Sequence, residues 1–145
     1  MTTARLHSTA TSQSSTKNGA NGVRQRQSLE ARHKLIEATI ACLDKFGYAD
    51  TSIARIQDQA SVSRGALTHH FPSKEELVVA TIDSLLETLL RPSLPSKKLS
   101  QTDIVADLRW LARNMTGTAR GRALSEVLMA TRTDKKLSAR VISRL

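Results

Sequence analysis

Residues 51–74, TSIARIQDQASVSRGALTHHFPSK, constrain this chain more than any other stretch, because they read as two short helices held apart by a tight turn. Ile53, Ile56 and Ala60 recur at three- and four-residue spacing, the mark of one helix face. Thr51 or Ser52 stands where a helix cap is needed, since a short side-chain oxygen accepts a bond from an orphan N–H of the first turn. Ser61, Val62 and Ser63 interrupt the pattern, and Ser63 is placed to cap a second helix from Arg64 to His70. Leu67 and Phe71 sit four apart and point inward, which leaves Arg64, Thr68 and His69 on another face. Pro72 stops this helix, because it lacks an N–H and clashes with the preceding turn. Ser73 followed by Glu76 forms a capping box, S-x-x-E, so a new helix starts there. Helices of this size and separation suit a helix-turn-helix, whose second helix enters the DNA major groove.

The flanking patterns extend an all-α reading. Leu35, Thr39, Cys42 and Phe46 form one row, and Ile36, Ile40 and Leu43 the next, an apolar stripe that must pack on the two motif helices. Gly47 ends that helix with a left-handed cap, and Cys42 is a packed core thiol. Residues 74–90 are apolar on two faces, one with Leu77, Leu85 and Leu89, the other with Val78, Ile82 and Leu86. Such a helix contacts two partners. The run RPSLP at 91–95 breaks it and opens a linker through Leu99. Ser100 then caps a helix over 101–115 with a stripe of Ile104, Leu108, Leu111 and Met115, and Trp110 lies beside it as edge packing or as a pocket wall. After a break at 116–118, a helix over 120–132 turns Ala123, Leu124, Val127 and Leu128 inward. Asp134 caps a last one, with Leu137, Val141 and Leu145 on its inner face and Lys135, Lys136, Arg140 and Arg144 solvated.

Here the residues carry a resemblance. Phe46-Gly47-Tyr48, Thr51-Ser52, Ile56, Ala60, Val62-Ser63, Gly65, Leu67, His70-Phe71, Lys74 and Leu77 resemble the DNA-binding domain of the TetR/AcrR family of bacterial transcriptional regulators over about residues 29–90. Gln57 stands where that family usually has Ala, Ser61 where it has the turn Gly, and Thr68 where it has Tyr. If Ser61 needs positive φ, it strains the turn by roughly 1 kcal/mol. With a basic tail over 1–28 set apart by composition, the resemblance implies a helix-turn-helix domain over 29–90 with the motif at 52–71, and a partial helical effector and dimerisation domain over 91–145. The pattern ends inside an amphipathic stripe, and further helices that the family uses for its effector pocket and dimer interface have no counterpart, so a truncated chain is expected.

Charge qualifies the picture. The net charge is +9, yet residues 29–90 hold six basic and nine acidic residues. Residues 1–28 carry Arg5, Lys17, Arg24 and Arg26 with no acid, and residues 91–145 hold twelve basic and four acidic residues. The DNA-binding region is therefore net acidic, with a local cationic excess only within 51–74. Its acids are expected to face away from DNA, and the motif carries the case more than bulk charge does. The Ser-, Gln- and Gly-rich 1–28 is expected to be disordered, as a solvated tail or as an arm whose Arg24 and Arg26 reach phosphates or the adjacent minor groove. No apolar run is long enough to span a membrane, no secretory signal opens the chain, and one cysteine suits a reducing cytoplasm.

Arg64 is the candidate base reader, since its fork matches O6 and N7 of guanine. Gly65 and Ala66 are small enough to let the backbone approach the bases, and Ala66 can touch a thymine methyl. By the resemblance, Ser52, Ser63, Thr68, His69, His70 and Lys74 fall at phosphate-contacting positions. His69 and His70 make a poor metal site, because adjacent helical residues point about 100° apart. No phosphate loop, dinucleotide fingerprint, zinc spacing or catalytic triad stands out, so neither an enzyme nor a cofactor is expected. The resemblance implies a cytoplasmic repressor that binds a palindromic operator as a homodimer and is released by an unidentified small molecule. The alternative is a truncated helical interaction module that pairs with a full-length regulator and binds DNA weakly or not at all.

Overall fold

The computed structural model describes residues 14–90 and 101–143. Among these residues the chain is built of seven helices: α1 (Ser14–Asp50), α2 (Ile53–Ala60), α3 (Arg64–His70), α4 (Lys74–Leu90), α5 (Gln101–Gly117), α6 (Ala119–Ala130) and α7 (Lys135–Ile142). The all-α expectation holds throughout them. The linker at 91–99, the cap at Ser100, and Arg144 and Leu145 lie outside the described residues.

The first helix corrects the reading of the tail. Residues 14–28, expected to be disordered, are helical and continuous with the stretch that packs. Once a packed segment supplies the nucleus, each added residue gains a backbone bond without a new nucleation cost, and no proline interrupts 14–28. At the other end, Gly47 breaks the helical geometry with φ 73° and ψ 175°, a region open in practice to glycine. A Cβ there would also lie 2.9 Å from a carboxylate oxygen of Glu126. The Thr51 hydroxyl donates to the Gly47 carbonyl at 2.6 Å, which folds the chain back and leaves Ser52 as the cap of α2.

The motif forms where its punctuation places it. The Ser52 hydroxyl accepts from the Arg55 N–H at 3.3 Å, and Ser63 accepts from the Ala66 N–H at 3.2 Å. Ser61 closes α2 in the left-handed region, φ 52° and ψ 42°, with its N–H donating to the Asp58 carbonyl. The strain expected at this non-glycine residue therefore has a backbone basis. α3 ends as the Phe71 N–H bonds the Leu67 carbonyl at 2.8 Å. Ser73 accepts from the Glu76 N–H at 3.2 Å to start α4, while the Glu76 carboxylate turns to Arg140 of α7.

One core runs through the whole assembly. Leu35, Ile40 and Leu43 of α1, Ile56 of α2, Leu67 of α3, Leu77, Ile82 and Leu85 of α4, Val127 of α6 and Leu137 and Val141 of α7 belong to a single buried cluster. Each such side chain, fully buried, stabilises the fold by roughly 1.5–3 kcal/mol. α4 is buried on both of its apolar faces, against α1 on one side and α6 and α7 on the other. The segment after residue 90 thus shares a core with the helix-turn-helix.

Two boundaries and two faces differ from expectation. α5 runs on to Gly117, and α6 stops at Ala130, so Arg132 falls in the turn before α7. The α5 stripe is largely outside the core, with Ile104 at 42% and Leu108 at 59% exposure, and Leu128 of α6 is exposed as well. Periodicity identifies an apolar face but not whether another element covers it. α6 instead meets α5 by backbone: a Cβ on Gly121 would collide with the Asn114 carbonyl oxygen. Thr118 ties this corner, donating to Asn114 O at 2.7 Å and accepting from Gly121 N at 3.0 Å.

Two substitutions read these backbone constraints in opposite directions. Ser61→Gly should raise stability by about 1 kcal/mol by relieving the left-handed residue. Gly121→Ala should lower it by about 1–3 kcal/mol through overpacking against α5. Urea unfolding of the two variants beside the parent chain measures both.

Candidate nucleic-acid interface

α3 is short, and it is held from behind. Leu67 and Phe71 are buried beneath it, and the Arg32 guanidinium of α1 lies 5.3 Å from the centre of the Phe71 ring. The opposite side presents Arg64, Gly65, Thr68 and His69 to solvent, with Ala66 and His70 half-buried. Nothing in the protein lies within 4 Å of where a Cβ on Gly65 would sit, so internal packing does not demand glycine there.

The hydroxyls of this face differ in what they have left to offer. Ser52 and Ser63 accept backbone N–H bonds as caps and keep their own protons for an external acceptor. Thr68 donates to the Arg64 carbonyl at 2.9 Å, so its proton is engaged within α3. The His69 and His70 rings meet edge-on at 5.4 Å. Burial foremost, then the neighbouring His69 and Arg32, lowers the His70 pKa and favours the neutral ring. Among the described residues, no group of three or more His, Cys, Asp or Glu side chains converges as a metal site would.

Lys74 is not presented like the rest. Its ammonium donates to the Tyr48 carbonyl at 2.8 Å and sits 4.2 Å over the Tyr48 ring, in a half-buried position. Burial lowers its pKa. Two of its three protons remain available to an anion, but the side chain is set by Tyr48. The structure also gives Tyr48 a part that residue spacing had not marked. Its hydroxyl donates to Asp134 at 3.1 Å, and its N–H donates to Glu126 at 3.4 Å. Burial first, and the Asp134 carboxylate second, push the Tyr48 pKa up to about 12. Tyr48 thereby joins the end of α1, the start of α4 and the cap of α7.

Three acids of residues 29–90, Glu37, Asp44 and Glu76, are met by cations from later in the chain. One nitrogen of Arg120, Nη2, donates to both carboxylate oxygens of Glu37 at 2.8 and 2.9 Å, Arg122 forks onto Asp44 at 2.6 and 3.1 Å through Nε and Nη2, and Arg140 pairs with Glu76. Exposed pairs of this kind add little stability, because water screens them. Their larger effect is directional, because they turn acidic side chains of α1 and α4 toward α6 and α7. On the motif side, Arg55 stacks over Phe46 at 4.4 Å, and Arg64 stands exposed.

Comparison with known proteins places this geometry. Residues 35–81 match the family described as bacterial regulatory proteins, tetR family. The chain is 34% identical over 108 residues to the HTH-type transcriptional regulator TtgR of Pseudomonas putida, an alignment that covers 72% of this chain and 51% of TtgR. It is 43% identical over 67 residues to the HTH-type transcriptional regulator CymR, also of Pseudomonas putida, covering 46% of this chain and 33% of CymR. The chain thus spans a third to a half of the length of these relatives. The fold is similar to that of a TetR family transcription regulator from Marinobacter aquaeolei VT8, with a TM-score of 0.65 and 22% identity, over 83% of this chain and 65% of the other.

Tyr48 is the sole tyrosine, so its titration is directly visible as phenolate absorbance. The midpoint should lie near pH 12, and Asp134→Asn should bring it down toward the ordinary value of about 10. Because the folded state holds this proton more tightly than the unfolded chain, the stability it contributes is intact below about pH 10 and is lost as pH rises toward 12.

Proposed function

We propose that this chain, which belongs through residues 35–81 to the tetR family of bacterial regulatory proteins, is a sequence-specific DNA-binding transcriptional regulator. The observation that carries the reading is α3 itself, capped by Ser63, anchored by Leu67 and Phe71, and exposing Arg64 beside an open Gly65. In this reading α3 lies in the major groove. Arg64 reads guanine O6 and N7, and Ala66 meets a thymine methyl. Ser52, Ser63, His69 and His70 donate to phosphates, Thr68 lies beside them, and Lys74 reaches a phosphate while held by Tyr48. Phosphate contacts fix register, and base contacts set sequence preference.

The finer reading is a cytoplasmic repressor that binds a palindromic operator as a homodimer and is released by a small molecule. The grip of α6 on α1 and of α7 on α4 supports it, because a movement of the later helices has a physical route to the reading helix. Release requires the ligand to favour the DNA-incompetent arrangement, since equal affinity for both states shifts nothing. A second reading, a helical module that pairs with a full-length regulator, draws on the exposed Ile104, Val105 and Leu108 of α5. Sedimentation separates the two: a stable homodimer supports the first, and a monomer that associates only with a longer relative supports the second.

Fluorescence anisotropy at ~0.15 M salt, where exposed charges are screened over about 8 Å, tests DNA reading. Duplexes tiled across the region upstream of the chain's own gene are compared with a scrambled duplex. One tile bound far more tightly, with two chains per duplex, is the expected result. Uniform weak binding to every tile would remove the sequence-specific reading. On the preferred tile, Arg64→Ala should remove about 1–3 kcal/mol of discrimination while leaving affinity for scrambled DNA nearly unchanged.

A further inference from the structure

Tyr48 is gripped from the second part of the chain at two points. Its hydroxyl donates to Oδ2 of Asp134 at 3.1 Å, and its N–H donates to Oε2 of Glu126 at 3.4 Å. Asp134 has a second duty: its other carboxylate oxygen accepts the Leu137 N–H at 2.9 Å and caps α7. α7 is held in turn to the start of α4, where Arg140 pairs with Glu76. One carboxylate thus makes two bonds, and only the cap is needed to begin α7.

The same tyrosine carries a cation. Lys74 Nζ lies 4.2 Å from the centre of the Tyr48 ring and donates to the Tyr48 carbonyl at 2.8 Å. A lysine stem is flexible and, left alone, spreads its ammonium over a wide volume. Here the ring and the carbonyl confine it. Tyr48 is only half-buried, so packing does not fix the ring on every side. The phenol bond to Asp134 supplies the missing restraint at the outer end of the ring. Burial lowers the Lys74 pKa, and the Glu75 and Asp134 carboxylates oppose it, so Asp134 also helps to keep the ammonium charged.

We infer that Asp134 is a positioning residue for DNA binding: through the phenol of Tyr48 it fixes the Lys74 ammonium where that group meets the phosphate backbone. The inference rests on the reading of Lys74 as a phosphate contact. Its sign is opposite to that of simple electrostatics. Asp134 is an acid close to a cation that meets a polyanion, so on charge alone its removal should strengthen DNA binding. Positioning requires that its removal weaken binding. Because a phosphate contact carries no base information, the loss should be the same on every sequence.

The test titrates DNA with the full chain carrying Asp134→Ser or Tyr48→Phe, on the preferred tile and on a scrambled duplex of equal length. Serine keeps the α7 cap and removes the acceptor for the phenol. Phenylalanine keeps the ring and the carbonyl and removes only the phenol donor. Each variant should weaken binding on the order of threefold on both duplexes, the worth of one exposed ion pair. Each should also flatten the slope of log K against log salt, by at most about 0.9. The double variant should lose no more than either alone, because both substitutions remove the same bond. In a Lys74→Ala background, neither substitution should lower the affinity further. Glu37→Gln is the control. It too removes one acid and one bond between the two parts of the chain, roughly 15 Å from Tyr48 along α1. It should bind no more weakly than the parent.

An Asp134→Ser affinity equal to or above the parent's would overturn the inference, and so would Tyr48→Phe binding like the parent. A deficit that persists without Lys74, or that Glu37→Gln shares, would overturn it too, by assigning the effect to a general loosening between the two parts of the chain. Lys74→Ala binding like the parent removes this inference and leaves the reading of α3 intact. The expected deficits on every duplex with no preferred tile keep the inference and remove the sequence-specific reading. Absence of any DNA binding by the parent chain removes both.

Discussion

The structure depends first on the buried stripe of α1. Leu35, Thr39 and Leu43 are fully excluded from water, and α2, α3, α4 and α6 all pack on this helix. The one polar member of the stripe is satisfied locally, since the Thr39 hydroxyl donates to the Leu35 carbonyl at 2.7 Å. α3 has no comparable resources. A seven-residue helix is far too short to persist alone in water. Its orientation is borrowed from α1 through Leu67 and Phe71, and from α4 through the turn at Pro72. The presentation of Arg64 is therefore a property of the core.

Charge acts at a second level. The chain carries +9 overall, yet residues 29–90, which contain α3, are net acidic. The structure resolves this tension by pairing. Arg120, Arg122 and Arg140 come from the most basic third of the chain and engage Glu37, Asp44 and Glu76. Cations that would look like nucleic-acid ligands in a composition count are thus occupied in joining the two parts of the chain, and the acids they hold are directed toward α6 and α7. Lys74 is a related case, because its ammonium is shared with the carbonyl and the ring of Tyr48.

The helix-turn-helix was legible almost residue by residue because its information is local. Ser52, Ser63 and Ser73 cap the helices that follow them, Gly47 supplies a positive φ, and Pro72 blocks continuation. Other features have no local signature. The sequence at 14–28 carries no apolar period, so its composition reads as disorder although the helix propagates through it. The stripe on α5 is apolar, but Ile104 and Leu108 are uncovered, a fact about neighbours that spacing does not encode. The Tyr48–Asp134 bond spans 86 residues, and neither residue type announces the other. The inward turn of Lys74 belongs to the same class, since the sequence places it at the head of α4 without saying which way it leans.

The corner at Gly121 has a mechanical meaning. Where helices meet through side chains, small displacements are absorbed by rotamer adjustments, and little is passed on. Between α5 and α6 that cushion is missing, because the Gly121 backbone lies against the carbonyl of Asn114 and the Cα of Met115. Thr118 bonds both sides of the same joint. α5 and α6 consequently behave as one stiff elbow. α6 in turn holds α1 at Glu37, Asp44 and Tyr48. The close corner between α5 and α6 is thereby tied to the helix on which α3 packs.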